Sequence, residues 1–120
     1  MKNTYVIGGK KVVTADVMAQ LPEATRLAGD DRYQTSIAVS NHFDEGADHQ
    51  YIATGEKFAD ALTGAALAAK NGTGVLLVGT SVHEELQDFL TEKQPNLLTI
   101  FGGTVAVSED VEGKLHSLFK

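Results

Sequence analysis

The chain has 120 residues, a formal net charge of −6 and no cysteine. That length supports one compact domain, and the lack of cysteine excludes disulfides, thiolate zinc sites and cysteine nucleophiles. The acidic balance argues against non-specific nucleic-acid binding, which needs clustered Lys and Arg to displace counterions, but it leaves room for an anion at one local cationic spot.

In chain order, Thr4 to Ile7 is a short apolar, β-branched run ending at Gly8-Gly9, and it predicts a buried strand. Thr14 can cap a helix in which Val17, Met18 and Leu21 share a face. Thr25 to Ala28 is a weaker strand candidate. Asp30 or Asp31 can cap the next helix, which carries Tyr33, Ile37 and Ala38. Tyr51 to Thr54 predicts a second buried strand, closed by Gly55, and Phe58, Leu62, Ala65, Ala66 and Ala69 follow at helical spacing. Val75 to Val78, ending at Gly79, is a further strand, and Ser81 with Glu84 predicts a capping box ahead of Leu86, Phe89 and Leu90. Leu97 to Phe101 ends at Gly102-Gly103. Ser108 opens a last helix with Glu109 and Asp110 in its first turn and Val111, Leu115 and Leu118 on its apolar face.

Strands alternating with helices at this spacing mean βαβ units: an α/β fold, read as a three-layer α/β/α module on a mostly parallel sheet of four or five strands. The chain also repeats itself. Tyr5 to Leu21 resembles Thr99 to Leu115, with Gly8 and Gly102, and likewise Leu21 and Leu115, 94 positions apart. Residues 1–21 therefore read as the tail of a preceding repeat and 26–120 as one full repeat, within a single module spanning 1–120.

Catalytic signatures are lacking. The serines sit in no G-x-S-x-G elbow, and Gly8-Gly9-Lys10 is followed by Lys11 where a phosphate-binding loop needs Ser or Thr. His42, His49, His83 and His116 have no metal-ligand spacing. Glu56 follows a strand as the acid of a Toprim enzyme does, but no D-x-D pair follows to complete a magnesium site. No enzyme activity, metal or cofactor is expected. No apolar run approaches the ~20 residues that span a bilayer, and the N-terminal apolar stretch is too short for a signal peptide. As written, the chain is expected either to stay inside the cell or to be a module of a longer exported protein.

Three blocks resemble the cell wall binding repeat 2 family. Arg26-Leu-Ala-Gly-Asp-Asp-Arg-Tyr-Gln-Thr35 is similar to that family's R-x-x-G-x-D-R-Y-x-T signature, and Ala53-Thr-Gly-Glu-Lys-Phe-Ala-Asp-Ala-Leu62 to its A-x-G-x-x-F-A-D-A-L; the third is the Gly-Gly block with Val107, Ser108 and Val111. The match covers nearly the whole chain. It implies a Toprim-like or flavodoxin-like module that anchors S-layer proteins, autolysins and other surface proteins non-covalently to an anionic secondary polymer of the Gram-positive wall. It also implies other copies of the module as partners, in tandem or as a homotrimer, with no nucleic acid and no membrane, and an extracellular, wall-bound location. A Pro-Ile-Leu-Leu stretch frequent in the family is replaced by Gly74-Val75-Leu76-Leu77, which keeps the apolar character and loses the proline.

The candidate polymer-binding residues are Arg26, Asp31, Arg32, Tyr33, Thr35, Gly55, Lys57, Asp60, Gly102 and Gly103. A guanidinium fork matches phosphate oxygens, and strand-end glycines let backbone amides face an anion at the carboxyl rim of a parallel sheet. The same residues also read as a structural knot: an Asp cap, Arg32 paired with a carboxylate such as Asp60, and Tyr33 in the core. Lys10, Lys11 and Lys57 lie beside the rim glycines as local cations or as solvated lysines. Leu62, Ala65, Val75, Leu76 and Leu77 are the candidate intermodule contacts. The rival readings are a flavodoxin-like small-ligand or nucleotide-binding domain and a structural spacer.

Overall fold

The computed structural model describes residues 3–43, 48–56, 58–70, 72–103 and 107–119; within the helix that starts at residue 58, it leaves undescribed the side chains of residues 58–60, 62, 63 and 66. The elements run β1 (Thr4–Ile7), α1 (Ala15–Ala19), β2 (Ala24–Leu27), α2 (Arg32–Phe43), β3 (His49–Thr54), α3 (Phe58–Lys70), β4 (Val75–Val78), α4 (Glu84–Lys93), β5 (Leu97–Phe101) and α5 (Glu109–Ser117). Among the described residues every strand pairing is parallel, as the short apolar runs suggest. The five strands are divided between two sheets, β1-β2 and β4-β3-β5, rather than joined in one. A strand's apolar content says that it pairs but not with which neighbour, so the division was not visible in the pattern.

The three-stranded sheet carries the layered core. Period-two alternation sends Ile52, Leu76 and Val78 to one face, where they meet Val82, Leu86, Phe89 and Leu90 of the α4 segment and Val107, Val111 and Leu115 of the α5 segment. The opposite face is covered by α3, whose Gly64 backbone lies against the Phe101 ring of β5. Leu76 is fully buried in this core and has no surface to lend to an interface, which corrects its place among the expected intermodule contacts. Helix α2 lies over the outer edge of β4: Ser36 Oγ accepts from the Leu77 amide at 3.1 Å and donates to the Tyr33 carbonyl at 2.7 Å. An edge that would otherwise offer free backbone groups is thereby blunted.

Two helix starts behave differently. Thr14 and Ser108 cap α1 and α5 as expected, each accepting at 3.3 Å from the amide three residues on. Helix α4 does not use Ser81; its N-cap is His83, with no side-chain cap bond. The His83 ring instead meets Tyr33 edge to face at 4.5 Å, Val82 is buried, and Gln87 Nε2 donates to the Val82 carbonyl at 2.8 Å. These contacts outweigh a cap worth about 1 kcal/mol. Helix α1 buries none of its residues, so the expected packing of its Val17–Met18–Leu21 face is not present. The β1–α1–β2 segment projects from the rest, held by α2 through contacts such as Tyr5 against His42 and Phe43. The outline is accordingly elongated, 44 × 27 × 25 Å.

Gly64→Ala would place a methyl 2.5 Å from Phe101 Cδ2. It is expected to lower stability by about 1–3 kcal/mol, read as a lower urea midpoint at constant slope. An unchanged midpoint would mean that the ring swings aside at no cost.

Candidate functional site

The Arg26–Thr35 block is built by hydrogen bonds that its own residue types dictate. Arg26 stands on β2 and reaches back to the β1–α1 loop, with Nη1 donating to the Gly8 carbonyl at 2.6 Å and Nη2 to the Val13 carbonyl at 2.7 Å. Asp31 caps α2, its Oδ1 accepting from the Gln34 amide at 2.8 Å. Gln34 Oε1 accepts in turn from the Asp30 amide at 3.0 Å, a reciprocal arrangement close to a capping box. Thr35 Oγ1 accepts from the Gly29 amide at 3.0 Å. Each of these bonds satisfies a turn or helix-end group that would otherwise lack a partner.

Arg32 and Tyr33 join this block to the strand ends. Arg32 is exposed, and its Nη1 donates to the Gly55 carbonyl at 2.6 Å. Tyr33 is seated between Gly55 and Gly79: a Cβ at Gly55 would lie 2.7 Å from the ring and one at Gly79 3.0 Å from the hydroxyl. The glycines ending β3 and β4 are therefore the space into which an aromatic ring fits, and they do not form an open rim. Gly102 and Gly103, at the end of β5, are exposed. Lys57 and the side chain of Asp60 lie outside the described residues, as does that of Leu62.

Arg32 and Thr35 belong to one groove, with Asp31 beside them, whereas Arg26 works behind it. The groove encloses about 890 Å³ and runs between the Gly8–Val12 loop, the turn at Gly29, the first two turns of α2 and the β4 edge. Lys10, Lys11 and Arg32 line it, opposed by Asp30 and by Asp31, which is committed to its cap. The positive end of the α2 dipole adds to the cationic side. Ile7, Val12, Val39, Val75 and Leu77 supply apolar walls, which places two of the expected intermodule residues here. Ala65 is exposed on α3, outside the groove. The sequence offers Lys10 and Lys11 as local cations or as solvated lysines beside the rim glycines, without naming the groove they line. Val12 and Val39 carried no signal, because the groove exists only where two sheets and a helix converge. Among the described residues no cluster of His, Asp and Glu could hold a metal, and no helix is long and apolar enough to cross a membrane.

His49 belongs to structure. Its Nε2 lies 2.5 Å from Thr99 Oγ1, its Nδ1 lies 3.2 Å from the Tyr51 hydroxyl, and its ring stacks on Tyr51 at 4.2 Å.

This is the architecture of an α/β binding module: a rigid parallel scaffold, a tightly hydrogen-bonded turn block, and an open groove with cationic and apolar walls. Residues 26–112 match the family model for cell wall binding domain 2 (CWB2), and the chain belongs to that family. It is thus a cell-wall-binding domain, of a binding family rather than a catalytic one. The chain is 28% identical over 118 residues to the N-acetylmuramoyl-L-alanine amidase LytC of Bacillus subtilis (strain 168), covering 98% of itself and 24% of that protein. It is also 28% identical over 122 residues to the amidase enhancer of the same organism, covering 98% of itself and 17% of that protein. Among solved structures, Cwp8 from Clostridium difficile superposes with a TM-score of 0.85 at 27% identity, over 98% of this chain and 20% of the other. Cwp6 from Clostridium difficile superposes with a TM-score of 0.86 at 21% identity, over 98% of this chain and 20% of the other, and shows the shared fold.

Arg26→Ala is expected to destabilise the fold by about 1–3 kcal/mol, because it removes two charge-assisted bonds that tie β2 to the preceding loop. Arg32→Ala, which removes one exposed bond, is expected to cost less than about 1 kcal/mol. Chemical denaturation of the two variants side by side tests the difference; equal losses would contradict the assigned roles.

Proposed function

We propose that this domain holds a surface protein on the Gram-positive wall by binding an anionic secondary wall polymer in the groove between the Gly8–Val12 loop and α2. The observation that carries the reading is the gathering of Lys10, Lys11 and Arg32 on one groove of a protein whose net charge is −6. An anion approaching an acidic protein meets favourable potential only where cations are concentrated. The apolar walls suit the hydrophobic faces of sugar rings, and the volume lies in the range of ligand-binding clefts. Gly55, Tyr33 and Asp31 support this site as its frame, while Gly102 and Gly103 stand apart at the end of β5.

A shallow, open groove binds weakly, and several linked copies gain avidity through effective concentration without a new contact. The domain therefore acts in tandem or trimeric copies, as part of a longer exported protein. The domain covers only a small share of the curated relatives, so the activity of the parent protein lies in other domains. The apolar residues of the groove also favour a second reading, that of a spacer making only protein contacts.

Sedimentation with protein-stripped Gram-positive walls tests the assignment. Walls are expected to retain the domain, and chemical removal of the secondary polymer is expected to abolish retention. Retention that survives polymer removal would sink the polymer reading, and no retention on intact walls would favour the spacer. The variant Lys10→Glu/Lys11→Glu alters two exposed side chains and is expected to keep the native circular dichroism spectrum while losing about tenfold in wall affinity at low salt. Undiminished retention would place the polymer elsewhere.

A further inference from the structure

Two parts of this molecule with similar sequences have similar geometry but opposite surroundings. Gly8 and Gly102 both sit at positive φ, +123° and +115°. The Val13 amide donates to the Gly9 carbonyl at 3.0 Å, and the Val107 amide to the Gly103 carbonyl at 2.9 Å. Thr14 and Ser108 cap their helices with the same 3.3 Å bond. Strand β1 with α1 is thus the structural counterpart of β5 with α5, displaced by 94 positions.

Burial separates them. Val111 and Leu115 of the α5 segment are 2% and 0% exposed, whereas their counterparts Val17 and Leu21 are 48% and 36% exposed. Phe101 packs against Gly64 of α3, whereas its counterpart Ile7 is 46% exposed. These apolar positions are core at one end of the chain and exposed at the other, where of β1 only Val6 is buried.

The edges complement each other as well. A residue in a parallel ladder directs its N–H and C=O to the same side, and successive residues alternate. The Thr4 and Gly8 amides donate to the carbonyls of Glu23 and Leu27, so the even-numbered residues of β1 face β2 and Tyr5 and Ile7 face its open edge. The Leu97 amide donates to the Asp48 carbonyl, so the odd-numbered residues of β5 face β3 and Leu98 and Ile100 face its open edge. Leu98 and Ile100 are the counterparts of Thr4 and Val6. Strand β5 is therefore open on the side where β1 takes β2, and β1 is open on the side where β5 takes β3. A groove of about 440 Å³ flanks the open edge of β5, lined in part by Leu98, Ile100, Leu115 and Phe119.

We infer that consecutive copies of this repeat share one sheet, the β2 strand of a following copy adding in parallel to the open edge of β5 to give the order β4-β3-β5-β2. The register follows from β1-β2, where Thr4 faces Ala24 and Ile7 faces Leu27: Leu98 takes the following copy's Ala24, and Phe101 its Leu27. The following copy's Arg26 then donates to the carbonyls of Gly102 and Val107, the counterparts of the Gly8 and Val13 carbonyls that Arg26 holds within this chain. Seen from the other side, β1 and α1 are the strand and helix that a preceding copy supplies, and that copy's β3 and α3 cover Ile7, leaving Val12, Val39, Val75 and Leu77 as the apolar walls of the cationic groove. The shared sheet thus ends with β2, whereas the sequence repeat begins there. This join rests on the tandem reading above but not on any ligand.

A tandem chain in which residues 1–117 are followed by residues 24–120 keeps the 94-residue period and tests the join without wall material. Amide exchange read by nuclear magnetic resonance should show two sets of Leu98 and Ile100 signals. The first-copy set is expected to exchange about a hundredfold or more slowly than in the 120-residue chain, approaching the already paired Val6 amide, while the second-copy set stays fast. First-copy amides that exchange as fast as in the single chain, whether the second copy folds beside them or not, would overturn the inference. Loss of wall retention in the sedimentation experiment would leave this result untouched.

Discussion

The guanidinium of Arg26 holds two backbone carbonyls, 18 and 13 residues upstream, at 2.6 and 2.7 Å. Few side chains can do this. A planar fork with five donors and no acceptor is suited to gathering carbonyls that point in different directions. Because those carbonyls belong to the Gly-Gly loop, the bond fixes that loop against β2, and β2 leads directly into the turn that starts α2. The position of Lys10 and Lys11 across from Arg32, and so the cationic groove itself, depends on this clamp.

The signature block therefore acts mainly as a frame. Asp31, Thr35 and Gln34 satisfy the amides of one tight turn, and Tyr33 fills the space left by two glycines at the ends of neighbouring strands. A frame of this kind sets affinity indirectly. It orders the loop before any ligand arrives, so less conformational entropy is lost on binding. It also explains why an acidic protein can present a local cationic surface: of the two carboxylates that line the groove, that of Asp31 is turned toward the α2 amides and is partly spent there.

The β1–α1–β2 segment shows how a covalent repeat and a folding unit can be out of phase. Its apolar residues are those of a core, yet Ile7, Val17 and Leu21 face outward. Burying them would recover hydrophobic stabilisation of about 25 cal/mol per Å², and the matching open edges of β1 and β5 offer the backbone geometry for it. Avidity for a wall and rigidity between copies would then come from the same sheet.

Much of this was legible in the residues alone. Short apolar runs ended by glycine marked the other four strands, and β2 emerged within one residue of the weaker candidate Thr25 to Ala28, although none of its residues is buried. Thr14, Asp30 or Asp31, and Ser108 announced their helices through cap chemistry that acts over three residues; the structure selects Asp31 of the aspartate pair. The family was readable from Arg26–Thr35 and Ala53–Leu62. Long-range choices were not legible. Which strand edges meet, that Leu76 is core while Val75 and Leu77 line a groove, that His83 rather than Ser81 starts α4, and that Gly55 and Gly79 receive a tyrosine ring all depend on partners 20 or more positions away. Periodicity and capping are local and leave a local trace. Edge pairing and the groove are decided by which surfaces find each other when the chain closes, and only the tertiary structure records that.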